Sequence, residues 1–581
     1  MKKLIFTLIN IFAFIGLSLG QWVSPGNGET YNLSELVNNS NGCVIIENNG
    51  QFTITADLTI SANDILVIDQ AESGIAVEDG KRITVNGSFV CENHDYQILM
   101  TGDNAFGTQN GYFSMRFDNA VNNIINNINF ENCGGIQLIS SDIIFDNCEF
   151  ENFNTSYISS AINYFECNPI IQNCYFHDNE GAAISSGANI MGSPKILSCT
   201  FFNNVTANSN YPQINLGPGA EDTIYIIGNH IEGVASDKSG GIAIADLMAT
   251  GSTKALVSNN TIINNRYGYT QQGTTISAVV CDNIFKDNNL ETNPMNGGSG
   301  ISIYGYGTAC AAILRNNLIT GNLWGITTIY YNNVDMGTEE DWGNNVIYNN
   351  GNGGVLYELY NNSYCNITAI GNYWGANDEN YPETVIFHQP DQADLGLVTF
   401  APVKQLFPDL ISLSFLQADN PTLSQDYFGI IDNDNHTVAV TIEDEIDVST
   451  LIMNYQTELG VTGNFASGTA HNFTEPVILT LSTPHNTSQE WTITVDIYNY
   501  ITDNQYIKAT IYPNPVADKL FITCKKDVTL SIYNTAGKII YSATCNEEKI
   551  TIDVKEFESG IYFIKIIDAD NRYNIQKIIK I

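Results

Sequence analysis

The sequence is poor in positive charge. Lysine and arginine together number 23 against 62 aspartates and glutamates, a formal net charge of −39 at pH 7. A chain this acidic has no long-range attraction to phosphate backbones or anionic lipid, which excludes nucleic acid as a default partner. Past the first twenty residues no apolar run is long enough to span a bilayer, so the mature chain has no transmembrane anchor. The 12 cysteines form no paired C-x-x-C clusters, which excludes a zinc site of that kind. No metal or cofactor is legible. The acidity reads as solubility outside the cell, and calcium lacks a ligand motif to hold it.

What is present begins with an address. Met1-Lys2-Lys3 is a short basic start, Leu4 to Leu19 is mostly apolar, and Ser18-Leu19-Gly20 offers small residues for cleavage before Gln21. That is the pattern of a signal peptide over 1–20.

The repeat carries most of the information. Asn127–Asn132, Asn147–Asn152, Asn173–Asp178 and Ser198–Asn203 are copies of one segment. Altered copies follow at Gly228–Gly233, Asn259–Asn264, Asp282–Asp287, Asn316–Gly321, Asn344–Asn349 and Gly371–Ala376. Their apolar anchors are Phe130, Phe150, Phe176, Phe201, Ile231, Ile262, Phe285, Ile319, Ile347 and Trp374. Spacings of roughly 20 to 34 residues fall in the range of solenoids. Each copy alternates apolar and polar at period two and is bounded by Asn, Asp or Gly, which favours strands over helices. Glycine-led strands follow most copies, at Gly135–Ile139, Gly181–Ile184, Gly241–Ile244, Gly300–Ile303, Gly325–Thr328 and Gly354–Tyr357, and a third strand precedes each anchor, as at Ile143–Phe145. Two or three short strands per repeat describe a parallel coil.

Two residues before the anchor runs the column Ile128, Cys148, Cys174, Cys199, Asn229, Asn260, Asn283, Asn317, Asn345, Asn372. Stacked amides can hydrogen-bond along a solenoid, so this column is structural, and the cysteines in it are small packing residues. Cys524 and Cys545 are left as a candidate bridge. Tyr31–Val37 has the spacing of a short amphipathic helix that could plug the N-terminal end.

Residues 21–407 resemble the right-handed parallel β-helix, pectate-lyase-like superfamily, and Gly371–Gly375 with Asp394–Val398 and Phe400–Pro402 is similar to the closing segment of such proteins. The resemblance implies a fold whose members include pectate lyases, polygalacturonases, alginate-modifying enzymes and adhesins. The hydrolase strings of that group (Asn-Thr-Asp, Asp-Asp, Gly-His-Gly, Arg-Ile-Lys) do not occur here. The basic residues between Asp118 and Pro402 are Lys195, Lys238, Lys254, Arg266, Lys286 and Arg315, scattered over different coils, and Arg315 reads as a solvated turn residue.

Residues flanking the anchors point outward. On neighbouring coils these include Glu149, Glu151, Tyr175, His177, Phe202, His230 and Glu232, a mixture of carboxylate, imidazole and aromatic face suited to a sugar chain. Glu149 and Glu151 are expected roughly 6.5 to 7 Å apart, near the lower edge of an inverting-glycosidase pair.

After Pro408 the texture changes. Residues 408–500 read as short alternating strands and resemble an immunoglobulin-like β-sandwich, with Asp432–Asn435 as a hairpin turn. Residues 507–581 resemble the type A sorting domain of type IX secretion. The matching positions are Tyr512, Pro513, Asn514 and Pro515, then Gly537, Gly560 and Tyr562, and finally Lys577 and Lys580. That resemblance implies handling by the type IX machinery and delivery through the periplasm to the outer surface or medium. Three functions stay open: polysaccharide binding without chemistry, a polysaccharide lyase or glycoside hydrolase, and an adhesin or structural surface protein.

Overall fold

In the computed structural model the described residues are 21–581 without 69–73, 93–96, 104–111, 156–157, 235, 249–251, 444–445, 498–506 and 571. The expected signal peptide lies outside them. The chain divides into two compact units, one taking the chain up to Ile411 with Gln456–Asn464 and Thr480–Glu490, the other Ser412–Tyr455, Phe465–Leu479 and Trp491–Ile581.

Eight of the ten repeat copies are a short strand between two left-handed turn residues; Gly233 closes its copy without a positive φ, and Gly371–Ala376 makes a single bridge from Tyr373 to Val346 where a strand was expected. Asn127, Asn147, Asn173, Ser198, Asn259, Asp282, Asn316 and Asn344 open the copies at φ between 52° and 62°. Asn132, Asn152, Asp178, Asn203, Asn264, Asp287 and Asn349 close them at φ between 51° and 57°. Asn and Asp tolerate this region and Gly enters it freely, which is why Gly228, Gly321 and Gly371 take the same places. The strands so delimited stack, parallel from Phe52–Ile54 onward, into a 13-stranded sheet running from Val44–Ile46 to Val346–Tyr348.

The register superposes the anchors. Phe130, Phe150, Phe176 and Phe201 are direct partners, fully buried, and their rings stack at 5.3, 4.3 and 5.0 Å. The remaining strands form two more parallel columns. One passes through Cys133–Ile139, Ser160–Phe165, Ala182–Ser186, Pro212–Leu216, Gly240–Asp246 and Tyr269–Gly273. The other passes through Ile143–Asp146, Ile170–Gln172, Lys195–Leu197, Ile224–Ile227, Thr253–Ser258 and Ile276–Cys281. The long strand Ser299–Arg315 serves both. This is a right-handed parallel β-helix, the hand that crossovers between parallel strands take.

One expected coil strand is not one. Val355–Leu356 pairs antiparallel with Gly351–Asn352 across the positive-φ pair Gly353-Gly354, so Gly354–Tyr357 is a hairpin arm and the coil strand is Leu359–Ser363.

The amide column forms as the sequence suggests. From Asn229 through Asn260, Asn283, Asn317, Asn345 and Asn372, each side chain donates to the next Oδ1 at 2.7–3.0 Å. A second relay, three residues past the anchors, escaped the sequence reading. Asn179 donates to Asn204, Asn204 to Gln213, Gln213 to Asn265, and the chain continues through Asn288, Asn322 and Asn350 to Glu358. Val234 occupies the equivalent position in one coil and is exposed, and Gln213 fills the gap from another strand. A buried amide without a partner costs about 1–3 kcal/mol, so the relay is self-enforcing.

The helix at the N-terminal end is Leu33–Asn39, closed by an Asn32–Glu35 capping box and burying Leu33 and Leu36, with Tyr31 in the preceding strand. All twelve cysteines are unpaired thiols, Cys524 and Cys545 included. After the solenoid, Leu410–Phe415, Tyr427–Phe428, Leu451–Thr457 and Thr469–His471 make one sheet. Asp432 closes the hairpin between Ile430–Asp432 and Thr437–Ile442 by accepting from Asp434 N and Asn435 N, both at 3.1 Å. The last segment, from Thr510–Tyr512 to Tyr573–Lys580, forms a three- and a four-stranded antiparallel sheet over its own core.

Candidate functional site

All seven residues expected on the outward patch share one face of the anchor sheet. Glu149, Tyr175, Thr200 and His230 are successive partners, as are Glu151, His177, Phe202 and Glu232. His177 Nε2 lies 3.0 Å from Glu149 Oε1 and 3.6 Å from Glu151 Oε2, while Nδ1 lies 2.9 Å from Asp178 Oδ2. The facing atoms of Glu149, Glu151 and His177 lie within 4.8 Å of one another, closer than the expected separation, because the imidazole from the next coil draws both carboxylates onto itself. Burial pulls the His177 pKa down, but Asp178, Glu149 and Glu151 outweigh it and hold it above the ordinary histidine value. These three side chains are the group among the described residues that could hold a metal ion. Tyr175 stacks on His177 at 4.3 Å, and His230 pairs with Glu232 at 3.1 Å, so most of the patch's polar capacity is spent internally.

A concavity lies on a different sheet. A groove of about 440 Å³ is lined by Asn210, Tyr211, Asn215, Arg266, Tyr267 and Gln272 around a floor of small side chains. That floor follows one register column of outward residues: Asn215, Ala243, Thr270 and Ser302 line the groove as successive partners, Thr327 comes next, and the two after it, Tyr360 and Phe387, carry rings stacked at 4.6 Å. Four small residues in a row, Ala243 to Thr327, leave a trough, and aromatic residues end it. Gln272 donates to Tyr306 Oη at 2.8 Å on one side, where Tyr304 packs against Tyr306 and Tyr330 at 5.3 Å each.

On the other side the hydroxyl end of the Tyr267 ring lies against Gly240. A Cβ at Gly240 would fall 2.2 Å from Tyr267 Cζ, so only glycine admits the ring. Arg266 sits over that ring at 5.0 Å and bonds Asn210 Oδ1. Burial pushes the Tyr267 hydroxyl up to about 12, which Arg266 only partly offsets. Among the described residues lining the groove there is no carboxylate and no imidazole.

Sequence reading treated Lys238 and Arg266 as scattered cations, yet they line one pocket adjoining the groove, because turns of successive coils stack. Arg315, read as solvated, is instead largely buried and paired with Asp335 and Asp341 at 2.9 Å.

In the C-terminal segment the predicted motif holds the last strand. Asn514 donates to Lys577 O at 2.8 Å and accepts from Ile579 N at 2.9 Å. Gly537 makes its hairpin turn at φ 77°, Gly560 is the register partner of Lys580, and the Tyr562 hydroxyl donates to Glu558 O at 2.9 Å. Tyr512, from the strand ending at Pro513-Asn514-Pro515, stacks on Phe521 at 5.6 Å. Residues 510–581 match the family described as secretion system C-terminal sorting domain. The chain is a parallel β-helix protein addressed to the cell surface by a type IX sorting domain.

Two further stretches of this β-helix protein match families, residues 420–495 the one described as "SGBP, N-terminal" and residues 269–383 a protein family of unknown function (DUF1565). No curated protein sequence matches the chain. Among solved structures it is similar to the periplasmic alginate epimerase AlgG, with 11% identity over 65% of this chain and 84% of that one and a TM-score of 0.41. It is also similar to a tailspike protein of E. coli bacteriophage HK620 in complex with a pentasaccharide, with 11% identity over 77% and 85% and a TM-score of 0.38. Likenesses this weak decide nothing about function. No helix among the described residues is long and apolar enough to cross a membrane.

Proposed function

We propose that this surface protein binds an extended polysaccharide along its β-helix by contact and not by cleavage. The observation that carries the reading is the trough: four small outward side chains in register, bordered by Tyr211, Tyr267 and the tyrosines around Tyr304. Coils rise about 4.8 Å each, close to the length of one sugar residue, so an extended glycan would meet a repeating surface. The exposed ring of Tyr211 can stack on a pyranose, Tyr267 backs the groove wall beneath Arg266, and Asn, Gln and Ser groups suit sugar hydroxyls. General acid–base hydrolysis needs a positioned proton donor and acceptor, and the lining offers neither a carboxylate nor an imidazole. Tyr267, held protonated with its raised pKa, is a poor base for an elimination. Tyr175 and Phe202 on the anchor sheet supply a second, shallower contact.

The test is affinity electrophoresis of the mature protein through gels containing each of a panel of polysaccharides. At least one polymer should retard the wild type, and Tyr211→Ala with Tyr267→Ala should abolish the retardation while the β-sheet circular dichroism is unchanged. Undiminished retardation of the double variant would remove the groove from the account, and no retardation by any polymer would favour a protein-partner adhesin.

A further inference from the structure

On the anchor sheet, away from the groove, three side chains converge in a way that one proton does not satisfy. Glu149 and Glu151 stand on one strand, and His177 is the register partner of Glu151 on the next coil. His177 Nε2 lies 3.0 Å from Glu149 Oε1 and 3.6 Å from Glu151 Oε2. A protonated ring carries one hydrogen on Nε2, so it bonds Glu149 and leaves Glu151 Oε2 beyond hydrogen-bond range. Its other hydrogen goes to Asp178 Oδ2, 2.9 Å from Nδ1. Among the described residues the ion pairs of these three carboxylates are all with this ring, so three negative charges share at most one positive charge.

The atoms on the far side of each group are held by residues from outside the cluster. Gln97 Nε2 donates to Glu149 Oε2 at 3.0 Å and Asn129 Nδ2 to Glu151 Oε1 at 3.3 Å, which turns the remaining oxygen of each carboxylate toward His177 Nε2. Asn203 donates to Asp178 Oδ1 at 2.7 Å, and Tyr175 stacks on the imidazole at 4.3 Å, so the ring plane is fixed as well. A carboxylate on Nδ1 that leaves Nε2 as the free ligand atom is the outer-shell arrangement of metal-binding histidines. The spacing agrees. Bonds of about 2.0–2.2 Å to nitrogen and oxygen in a tetrahedron set neighbouring ligand atoms about 3.4 Å apart, which falls between the two observed distances. The ligand atoms of all three residues lie within 4.8 Å of one another. Their side chains are 13%, 25% and 29% exposed for His177, Glu149 and Glu151, so an ion can enter and water can complete its coordination.

We propose that Glu149, Glu151 and His177 bind a first-row divalent transition ion, with Zn²⁺ as the reference case. The ion takes the place of the Nε2 proton, which is released to solvent, and accepts one oxygen from each glutamate. Two carboxylates then neutralise the ion, and Asp178 stays on the Nδ1 hydrogen as a positioning residue. An imidazole among the ligands disfavours Ca²⁺ and Mg²⁺, which take oxygen donors. Because the ligands come from two successive coils, an ion that binds only the folded chain stabilises the solenoid by mass action. The site is independent of the groove and of the polysaccharide reading.

The experiment is calorimetry of the mature protein, stripped with EDTA, exchanged into metal-free buffer and titrated with Zn²⁺. One ion per chain should bind and raise the thermal midpoint. His177→Gln, and the double variant Glu149→Gln with Glu151→Gln, should lose both the binding and the midpoint shift while the β-sheet circular dichroism is unchanged. Asp178→Gly, which keeps the left-handed turn, should weaken binding about 10- to 100-fold. The chain also holds twelve free thiols, so Co²⁺ absorption of the wild type is the companion measurement. Nitrogen and oxygen ligands give visible d–d bands without sulfur charge transfer in the near ultraviolet. Sulfur bands, binding that survives His177→Gln, or displacement of Zn²⁺ by equimolar Ca²⁺ would overturn the proposal. No saturable binding would overturn it too, leaving His177 as the ion-pair partner of the carboxylates and nothing more.

Discussion

The Asn350 side-chain amide donates to Glu358 Oε2 at 2.6 Å, and Asn350 N faces both oxygens of the same carboxyl at 3.3 and 3.4 Å. Every earlier acceptor in this relay is an amide oxygen, and the last is a carboxyl group buried at 1% exposure. Burial raises its pKa from 4.5 to about 8, against the lowering effect of the Asn350 hydrogen bonds. The native state therefore keeps a proton that the unfolded chain releases. Between pH 4.5 and 8 the unfolded chain binds fewer protons than the native one, so stability falls as pH rises across that window. Each pH unit is worth at most about 1.4 kcal/mol. Replacing Glu358 by Gln removes the slope. Thermal midpoints from pH 5 to pH 8.5 should show the variant gaining on the wild type as pH rises, and parallel curves would contradict the assignment.

Gln213 joins Asn204 to Asn265 at 2.9 and 3.0 Å across the coil where Val234 breaks the pattern. Gln213→Ala strands one buried donor and one buried acceptor and should cost about 2–4 kcal/mol by denaturant unfolding. Gln272→Ala, on the groove rim, should cost under about 0.5 kcal/mol. Equal losses would show that the relay is not continuous.

Phe176 lies between Phe150 and Phe201 in the ring stack. Phe176→Ala should cost about 3–5 kcal/mol through the cavity it leaves, whereas exposed Lys254→Ala should be nearly neutral. The ranking is the check, read as denaturation midpoints.

Much of this fold was legible in the sequence because a solenoid repeats its physics in every coil. The Asn and Asp residues bounding each copy mark left-handed turns, and the anchors and the Asn229-to-Asn372 column follow in register. The second relay was not legible, because Val234 interrupts it and its bridge, Gln213, stands twenty-one residues earlier in the chain. The Gly354 arm was misread because a glycine opening an apolar pair looks the same in a hairpin and in a coil. The outward patch assembled as expected, but sequence could not show that His177 would take up both glutamates. The groove was invisible for a related reason. Ala243, Thr270 and Ser302 carry no signal singly, and only their register makes a trough.

Deleting Ile507 to Ile581 should leave the β-helix folded but trap the chain in the periplasm, since the sorting domain is self-contained around its own core. Fractionation is the measurement, and normal surface or medium levels of the truncated chain would contradict the routing.

Alanine at both Tyr175 and Phe202 should weaken glycan retention less than alanine at both Tyr211 and Tyr267, because Tyr175 is already stacked on His177. Dissociation constants for the two double variants against the same polymer decide the order, and a larger loss in the first would make the anchor-sheet patch the principal surface.

The central claim, contact without cleavage, is tested most directly on the polysaccharide itself. A polymer that retards the protein is incubated with it at stoichiometric concentration, recovered, and measured for chain length, reducing ends and unsaturated sugar. Binding alone predicts polymer of unchanged length with no new ends. Shortened chains or unsaturated products, lost in the Tyr211→Ala and Tyr267→Ala double variant, would make the protein an enzyme and contradict the account.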